Sequence, residues 1–145
     1  MLNIRRFTAE DVEQVTALEQ SCFSMPWKSE DFLRLAEDPK SLYLVAETDG
    51  KIVGICGVTN IVGEGNINNV AVSADYRGQG IATKLMERLI EEGYKMGIAE
   101  FTLEVRVSNA AAIHVYEGCG FVSEGVRPGF YEKPTEDALI MWKRA

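Results

Sequence analysis

The sequence predicts a mixed α/β (α+β) fold, one central sheet of about seven strands carrying about four helices. Three observations predict it. Apolar, β-branched runs at Ser41–Thr48 and Lys51–Val62 flank Asp49-Gly50, a strong two-residue hairpin signal. A run over about Asn66–Val72, a glycine-containing turn, an amphipathic stretch from Ile81 and an alternating run at Phe101–Val107 form a strand–helix–strand unit. Its two strands should be parallel neighbours, near 66–72 and 100–107, because a helical crossover joins parallel strands. The 145 residues, 46% hydrophobic and 26% charged, suit one domain with one core.

Each element has its own signal. Leu2–Arg6 opens as a strand. Thr8 is a suitable N-cap, Asp11 sits at the capping-box position, and Phe7 and Val12 occupy the hydrophobic-staple positions. Val12, Val15 and Leu18 recur at near-helical spacing, so a helix runs to about Cys22. Phe23-Ser24-Met25-Pro26-Trp27 breaks it. Ser29 caps a second short helix, with Glu30 and Asp31 in the first turn where the dipole favours them. After the hairpin, Gly63-Glu64-Gly65 turns the chain into the third strand of an antiparallel meander. Ile81, Leu85 and Leu89, with Met86 and Ile90 beside them, form the buried stripe of a helix ending near Gly97. In the next strand Phe101, Leu103 and Val105 face one way, and Thr102, Glu104 and Arg106 the other. Asn109 or Ser108 caps an alanine-rich helix that Gly118 or Gly120 ends. Phe121–Val126 and Ala138–Trp142 are the closing strands.

Composition narrows the function. A net charge of −7 argues against a nucleic-acid partner, which needs a basic face, and suits a cationic amine or a basic polypeptide. No apolar run is long enough to cross a membrane, and Arg5, Arg6, Glu10, Asp11 and Glu13 interrupt any signal-peptide core. Cys22, Cys56 and Cys119 share no metal or redox spacing and read as reduced thiols of a cytoplasmic protein. No cluster has metal-ligand spacing, so no metal is expected. His114, the only histidine, has no carboxylate or cysteine at useful spacing and reads as a surface or packing residue.

The segment Val70-Ala71-Val72-Ser73-Ala74-Asp75-Tyr76-Arg77-Gly78-Gln79-Gly80-Ile81-Ala82 runs from strand through loop to helix. A helix N-terminus carries unpaired N–H groups and partial positive charge, and suits a phosphate. A Walker loop needs Gly-Lys-Ser/Thr, and Ile81-Ala82 follows Gly80 instead. A dinucleotide fingerprint needs glycine or alanine where Thr83 stands. Arg77, Gly80 and Ala82 do fill the pattern Arg/Gln-x-x-Gly-x-Gly/Ala, which resembles the pyrophosphate loop of the GNAT superfamily of N-acetyltransferases. Two further blocks match it in order and spacing, Leu103-Glu104-Val105-Arg106-Val107-Ser108-Asn109-Ala110-Ala111-Ala112-Ile113 and Tyr116-Glu117-Gly118-Cys119-Gly120-Phe121. Within the superfamily the chain is similar to the bacterial enzymes that acetylate the N-terminal alanine of a ribosomal protein. Phe23–Trp27 and the ending from Arg127 through Phe130-Tyr131 to Met141 support that subgroup. Two departures stand out. Gly118-Cys119 replaces a larger polar residue and a leucine, and Gly129-Phe130-Tyr131 replaces Asn-Tyr-Tyr in the loop expected to shape the peptide pocket.

The resemblance implies a GNAT fold, with residues 1–145 a single N-acetyltransferase domain and the two parallel strands splayed around acetyl-coenzyme A as cosubstrate. It assigns the cofactor to Val70, Ala71 and Val72 along the pantetheine arm, to Arg77, Gly78, Gln79, Gly80, Ile81, Ala82 and Thr83 around the pyrophosphate, and to Asn109. Lys84 adds positive charge nearby, and an N–H near Val72 would stabilise the thioester oxygen. Glu104 is implied as general base and Tyr116 as general acid, with Trp27 and Tyr131 lining the acceptor pocket. An N-terminal amine, at a pKa of about 7.7–8.0 against about 10.4 for lysine, is within reach of a carboxylate base. The implied partner is the N-terminal peptide of a small-subunit ribosomal protein, and the protein would be a monomer or weak homodimer. A broader N-terminal or polyamine acetyltransferase, or a coenzyme-A-binding module without turnover, are the alternatives.

Overall fold

The computed structural model describes residues 1–144. A seven-stranded mixed sheet has the order β1-β2-β3-β4-β5-β7-β6. Its strands are β1 (Asn3–Arg6), β2 (Ser41–Thr48), β3 (Lys51–Ile61), β4 (Glu64–Val72), β5 (Glu100–Arg106), β6 (Val122–Tyr131) and β7 (Glu136–Lys143). Four helices cover it: α1 (Val12–Cys22), α2 (Ser29–Glu37), α3 (Ile81–Lys95) and α4 (Ala110–Gly118). Every neighbour pair is antiparallel except β4 and β5, the two strands joined by α3.

Strand β2 shows why the sheet has helices on both faces. Leu42, Leu44 and Ala46 pack with Ile81, Leu85, Met86 and Leu89 of α3. Tyr43 and Val45, on the opposite pleat, pack with Val15 and Leu18 of α1 and Phe32 of α2. A strand buried on both faces reads as a continuous apolar run. The hairpin at Asp49-Gly50 forms as expected, with φ of 51° and 77°, the left-handed pair a two-residue turn requires.

Several boundaries differ from expectation. Lys28, not Ser29, is the N-cap of α2: Asp31 accepts the Lys28 N–H at 3.0 Å, and the Ser29 hydroxyl pairs with Thr16 Oγ1 at 3.0 Å instead. The β3–β4 turn is Val62-Gly63, so Glu64 and Gly65 already belong to β4. At α4 the expected choice between Asn109 and Ser108 resolves to Asn109, its Oδ1 accepting the Ala112 N–H at 3.2 Å. Strand β6 continues past the expected end at Val126 to Tyr131, so the Gly129-Phe130-Tyr131 segment expected as loop is strand, with a register shift between Arg127 and Tyr131.

Two features of β4 open the sheet. Its ladder with β5 holds only three pairs, Glu64 with Glu100, Gly65 with Phe101 and Asn66 with Thr102. On the other side Gly57 pairs with Asn68 and Ile55 with Ala71, so Cys56 alone faces two residues, Asn69 and Val70. That is a β-bulge, with Asn69 at φ 56°, and a bulge bends its strand. Beyond Asn66 the edge of β4 therefore has no ladder partner on the β5 side.

Candidate active site

The divergence of β4 and β5 leaves two cavities. The first, of about 520 Å3, is walled by Val70–Val72, the Tyr76–Gly78 turn, Gly80–Thr83 and one face of α4. The second, of about 640 Å3, is walled by Glu19, the Phe23–Trp27 region, Asn66–Val70, Leu103–Arg106 and Phe130–Tyr131. Cys22, Phe23, Val70, Asn109, Ala112 and Tyr116 line both, so the cavities meet at the open edge of β4.

The first cavity is built for an elongated anion. Gly78 and Gly80 sit at φ 78° and 79°, where an L side chain is strained, and a Cβ at either would meet no protein atom within 4 Å. The Lys84 N–H is the first to bond inside α3, to the Gly80 carbonyl at 3.1 Å. The N–H groups of Ile81, Ala82 and Thr83 precede it and have no helical acceptor. No acidic residue stands in this turn to compete for an anion. Next to the loop, Val70–Val72 presents the unpaired edge of β4. These features fit a pyrophosphate joined to a chain of amides: donors at one end, a strand edge along the length. Arg77 turns its side chain back over β4, with Nε 3.1 Å from the Val72 carbonyl and Nη2 3.6 Å from Cys22 Sγ. Gln79 and Lys84 are exposed and outside the cavity wall.

The second cavity holds the groups suited to proton transfer. Glu104 points from β5 into it, half-buried and free of any side-chain hydrogen bond to the described residues. Tyr131 lies close enough that Glu104, after burial, helps push its phenol up to about 12. The Arg106 guanidinium stacks 4.6 Å from the Tyr131 ring centroid. It also donates to the carbonyls of Glu132 at 2.8 Å and Pro134 at 2.9 Å, to Glu136 at 3.2 Å and to Ser24 Oγ at 3.2 Å. One cation thus ties β5 to the β6–β7 hairpin and to the segment after α1. Trp27 also lines this cavity, its ring 5.4 Å from Phe32, so it belongs to both core and cavity.

Tyr116 stands between the two cavities. It is 7% exposed, its ring lies 6.2 Å from that of Phe121, and its hydroxyl bonds to no described residue. Burial, then the nearby Tyr131, pushes its pKa above the ordinary tyrosine value, so the phenol keeps its proton at neutral pH. Of the expected site residues, Val70, Ala71, Val72, Arg77, Gly78, Gly80, Ile81, Ala82, Thr83 and Asn109 line the first cavity. Glu104, Trp27 and Tyr131 line the second. His114 is exposed on α4, and Cys56 is buried with its thiol pushed up by burial. No group of three or more His, Cys, Asp or Glu among the described residues could hold a metal ion. Nor, among these residues, is any helix long and apolar enough to cross a membrane.

The sequence reading missed Glu19, Asn69 and the tying role of Arg106. Glu19 had a signal: with Val15, Leu18 and Cys22 it falls at i, i+3, i+4 and i+7, on the buried face of α1. Asn69 had none, because a bulge is set by its partner strand.

Residues 12–121 match the model of the acetyltransferase (GNAT) family. The Escherichia coli (strain K12) ribosomal protein bS18-alanine N-acetyltransferase is 34% identical over 145 residues, 97% of this chain and 96% of that protein. A Bacillus subtilis protein provisionally named for the same activity is 36% identical over 140 residues, 96% of this chain and 93% of its own. The crystal structure of the ribosomal-protein-S18-alanine N-acetyltransferase from Escherichia coli superposes with a TM-score of 0.89 at 32% identity, covering 100% of this chain and 96% of that one.

Proposed function

Because the chain belongs to the GNAT family of acetyltransferases, we propose that its two cavities are the cofactor and acceptor halves of one site acetylating a protein N-terminal α-amine. The favoured acceptor is the N-terminal alanine of a small-subunit ribosomal protein, the activity its relatives in Bacillus subtilis and Escherichia coli are named for. The net charge of −7 suits a basic partner. One observation carries the reading: a protonated, buried Tyr116 lines both cavities while the carboxylate of Glu104 lines the acceptor side.

Acetyl-coenzyme A supplies an activated acetyl thioester. The Gly78–Thr83 backbone holds its pyrophosphate, and the edge of β4 aligns the rest against Val70–Val72. Glu104 takes the proton of the incoming ammonium, directly or through one water. The amine nitrogen then bonds the acetyl carbon, and the carbon–sulfur bond breaks. Tyr116 gives its proton to the departing thiolate, the new amide nitrogen sheds its surplus proton to solvent, and Tyr116 recovers one from there. A β4 N–H beside the carbonyl oxygen stabilises its developing charge, worth about 10²–10³ in rate for one donor. Transfer is direct, within a ternary complex.

The test follows thiol release from acetyl-coenzyme A with peptides beginning Ala, Ser or Met, with internal-lysine peptides, with spermidine and with the purified ribosomal protein. Turnover is expected on the alanine peptide and the ribosomal protein. Preference for spermidine or internal lysine would overturn the N-terminal reading, and cofactor binding without turnover on the whole panel would identify a binding module. Glu104→Gln should lower kcat by about 10²–10⁴ on the preferred acceptor.

A further inference from the structure

Glu19 is only 2% exposed, and a buried carboxylate is costly unless its oxygens are hydrogen-bonded. Its partners are neutral donors from two separate parts of the site. The Trp27 N–H donates to Oε2 at 3.1 Å, in the segment that walls the acceptor cavity. Asn69 Nδ2 lies 3.1 Å from Oε1 and 3.0 Å from Oε2, at the bulge of β4. These are the only side-chain hydrogen bonds of Asn69 among the described residues, its Oδ1 being buried without a partner. Asn69 holds φ 56°, a left-handed backbone that asparagine adopts more readily than most residues, so the side chain at the bulge is free to serve as the clamp's partner.

We propose that Glu19 is a positioning residue for acetyl transfer: it clamps the Asn69 bulge, and so aims the open β4 edge at Val70–Val72, while anchoring the Trp27 wall. The proposal rests on the transferase reading above. A bulge decides which way the following residues of its strand point. Val70 comes directly after Asn69 and lines both cavities, so a shift of the bulge moves the strand edge relative to Tyr116 and Glu104. Burial pushes the Glu19 carboxyl up, and its hydrogen bonds from Trp27 and Asn69 oppose that.

Two variants test it. Glu19→Gln sets an NH2 group against the Asn69 NH2, donor against donor, at nearly constant volume. Asn69→Gly keeps the left-handed backbone accessible and removes the clamp. Each should lower kcat by about tenfold to a hundredfold, the scale of a small misplacement of reacting groups. Coenzyme A should still bind at one per chain, and the double variant should be no worse than the weaker single. Amide hydrogen exchange should quicken at residues 69–72 and not at 78–83. The proposal is overturned if Glu19→Gln keeps kcat within twofold, if the two losses multiply, or if binding stoichiometry falls in step with kcat. If the wild-type protein acetylates no acceptor, the transferase reading fails and hydrogen exchange alone decides: faster exchange at 69–72 upholds the clamp, and unchanged exchange overturns it.

Discussion

Replacing Tyr116 by Phe should separate the chemistry of this site from its folding. The substitution removes one oxygen and leaves the ring, with its packing on Phe121, in place. The hydroxyl has no protein partner among the described residues, so no hydrogen bond within the fold is lost. Tyr116 lines both cavities and its oxygen is not among the buried unpartnered atoms, so water can pair with it and its removal relieves little cost. Stability should therefore stay level or rise by up to about 1 kcal/mol, at most about 4 °C in Tm for a chain this long. The thiolate loses its acid, so kcat should fall by about 10²–10⁴. The pH dependence has a definite sign. The folded-state pKa of Tyr116 is raised, so the native protein keeps this proton where an unfolded tyrosine ionises, at about pH 10. The native state then binds more protons than the unfolded one, and stability falls as pH rises through that value. The Phe variant should lose less stability over the same window. Thermal melts near pH 8 and pH 10.5, beside thiol-release kinetics, measure both effects. A kcat within threefold of wild type would refute the acid role. A Tm several degrees lower would refute the account of a hydroxyl without a protein partner.

Two further outcomes follow from the geometry. Gly80→Ala puts an L residue at φ 79°, costing about 1–2 kcal/mol, and strains the turn that presents the α3 N–H groups. Calorimetry should show coenzyme A binding weakened by about tenfold, with kcat at saturation little changed. Asp11→Asn breaks a bidentate pair with Arg5, both contacts at 2.8 Å, and weakens the acceptor of the Thr8 N–H. The Arg5 guanidinium holds the Asp11 carboxyl below its ordinary range, so this stability is present above about pH 4 and lost as pH falls through the lowered value. Urea melts at pH 7 should show a loss of about 2 kcal/mol, less than the roughly 3–5 kcal/mol of a fully buried pair because Arg5 is 30% exposed. The gap between the two proteins should close only as pH falls through that lowered value.

Local chemistry made most of the fold legible. Asp49-Gly50 and the stripe Ile81, Leu85, Leu89 mark their elements wherever they occur, because turn angles and helical period are properties of a few neighbouring residues. The α2 cap and the length of β6 were misread for the same reason in reverse. Ser29 leaves the cap because its hydroxyl pairs with Thr16 of α1, and β6 runs on to Tyr131 because β7 pairs with it. A residue's partner in another element leaves no trace in its own neighbourhood.

What the sequence by itself determined is the glycine turn before α3, the alternation that puts Glu104 on the polar side of β5, and the two helical turns from Asn109 to Tyr116. Only the tertiary structure decided that these belong to one cleft. That cleft exists because β4 parts from β5 after three pairs and bulges at Asn69, and because Glu19 of α1 and Arg106 of β5 tie distant segments to it. Hydrogen bonds between residues 50 and 82 positions apart depend on how the whole chain closes, and no local window contains them.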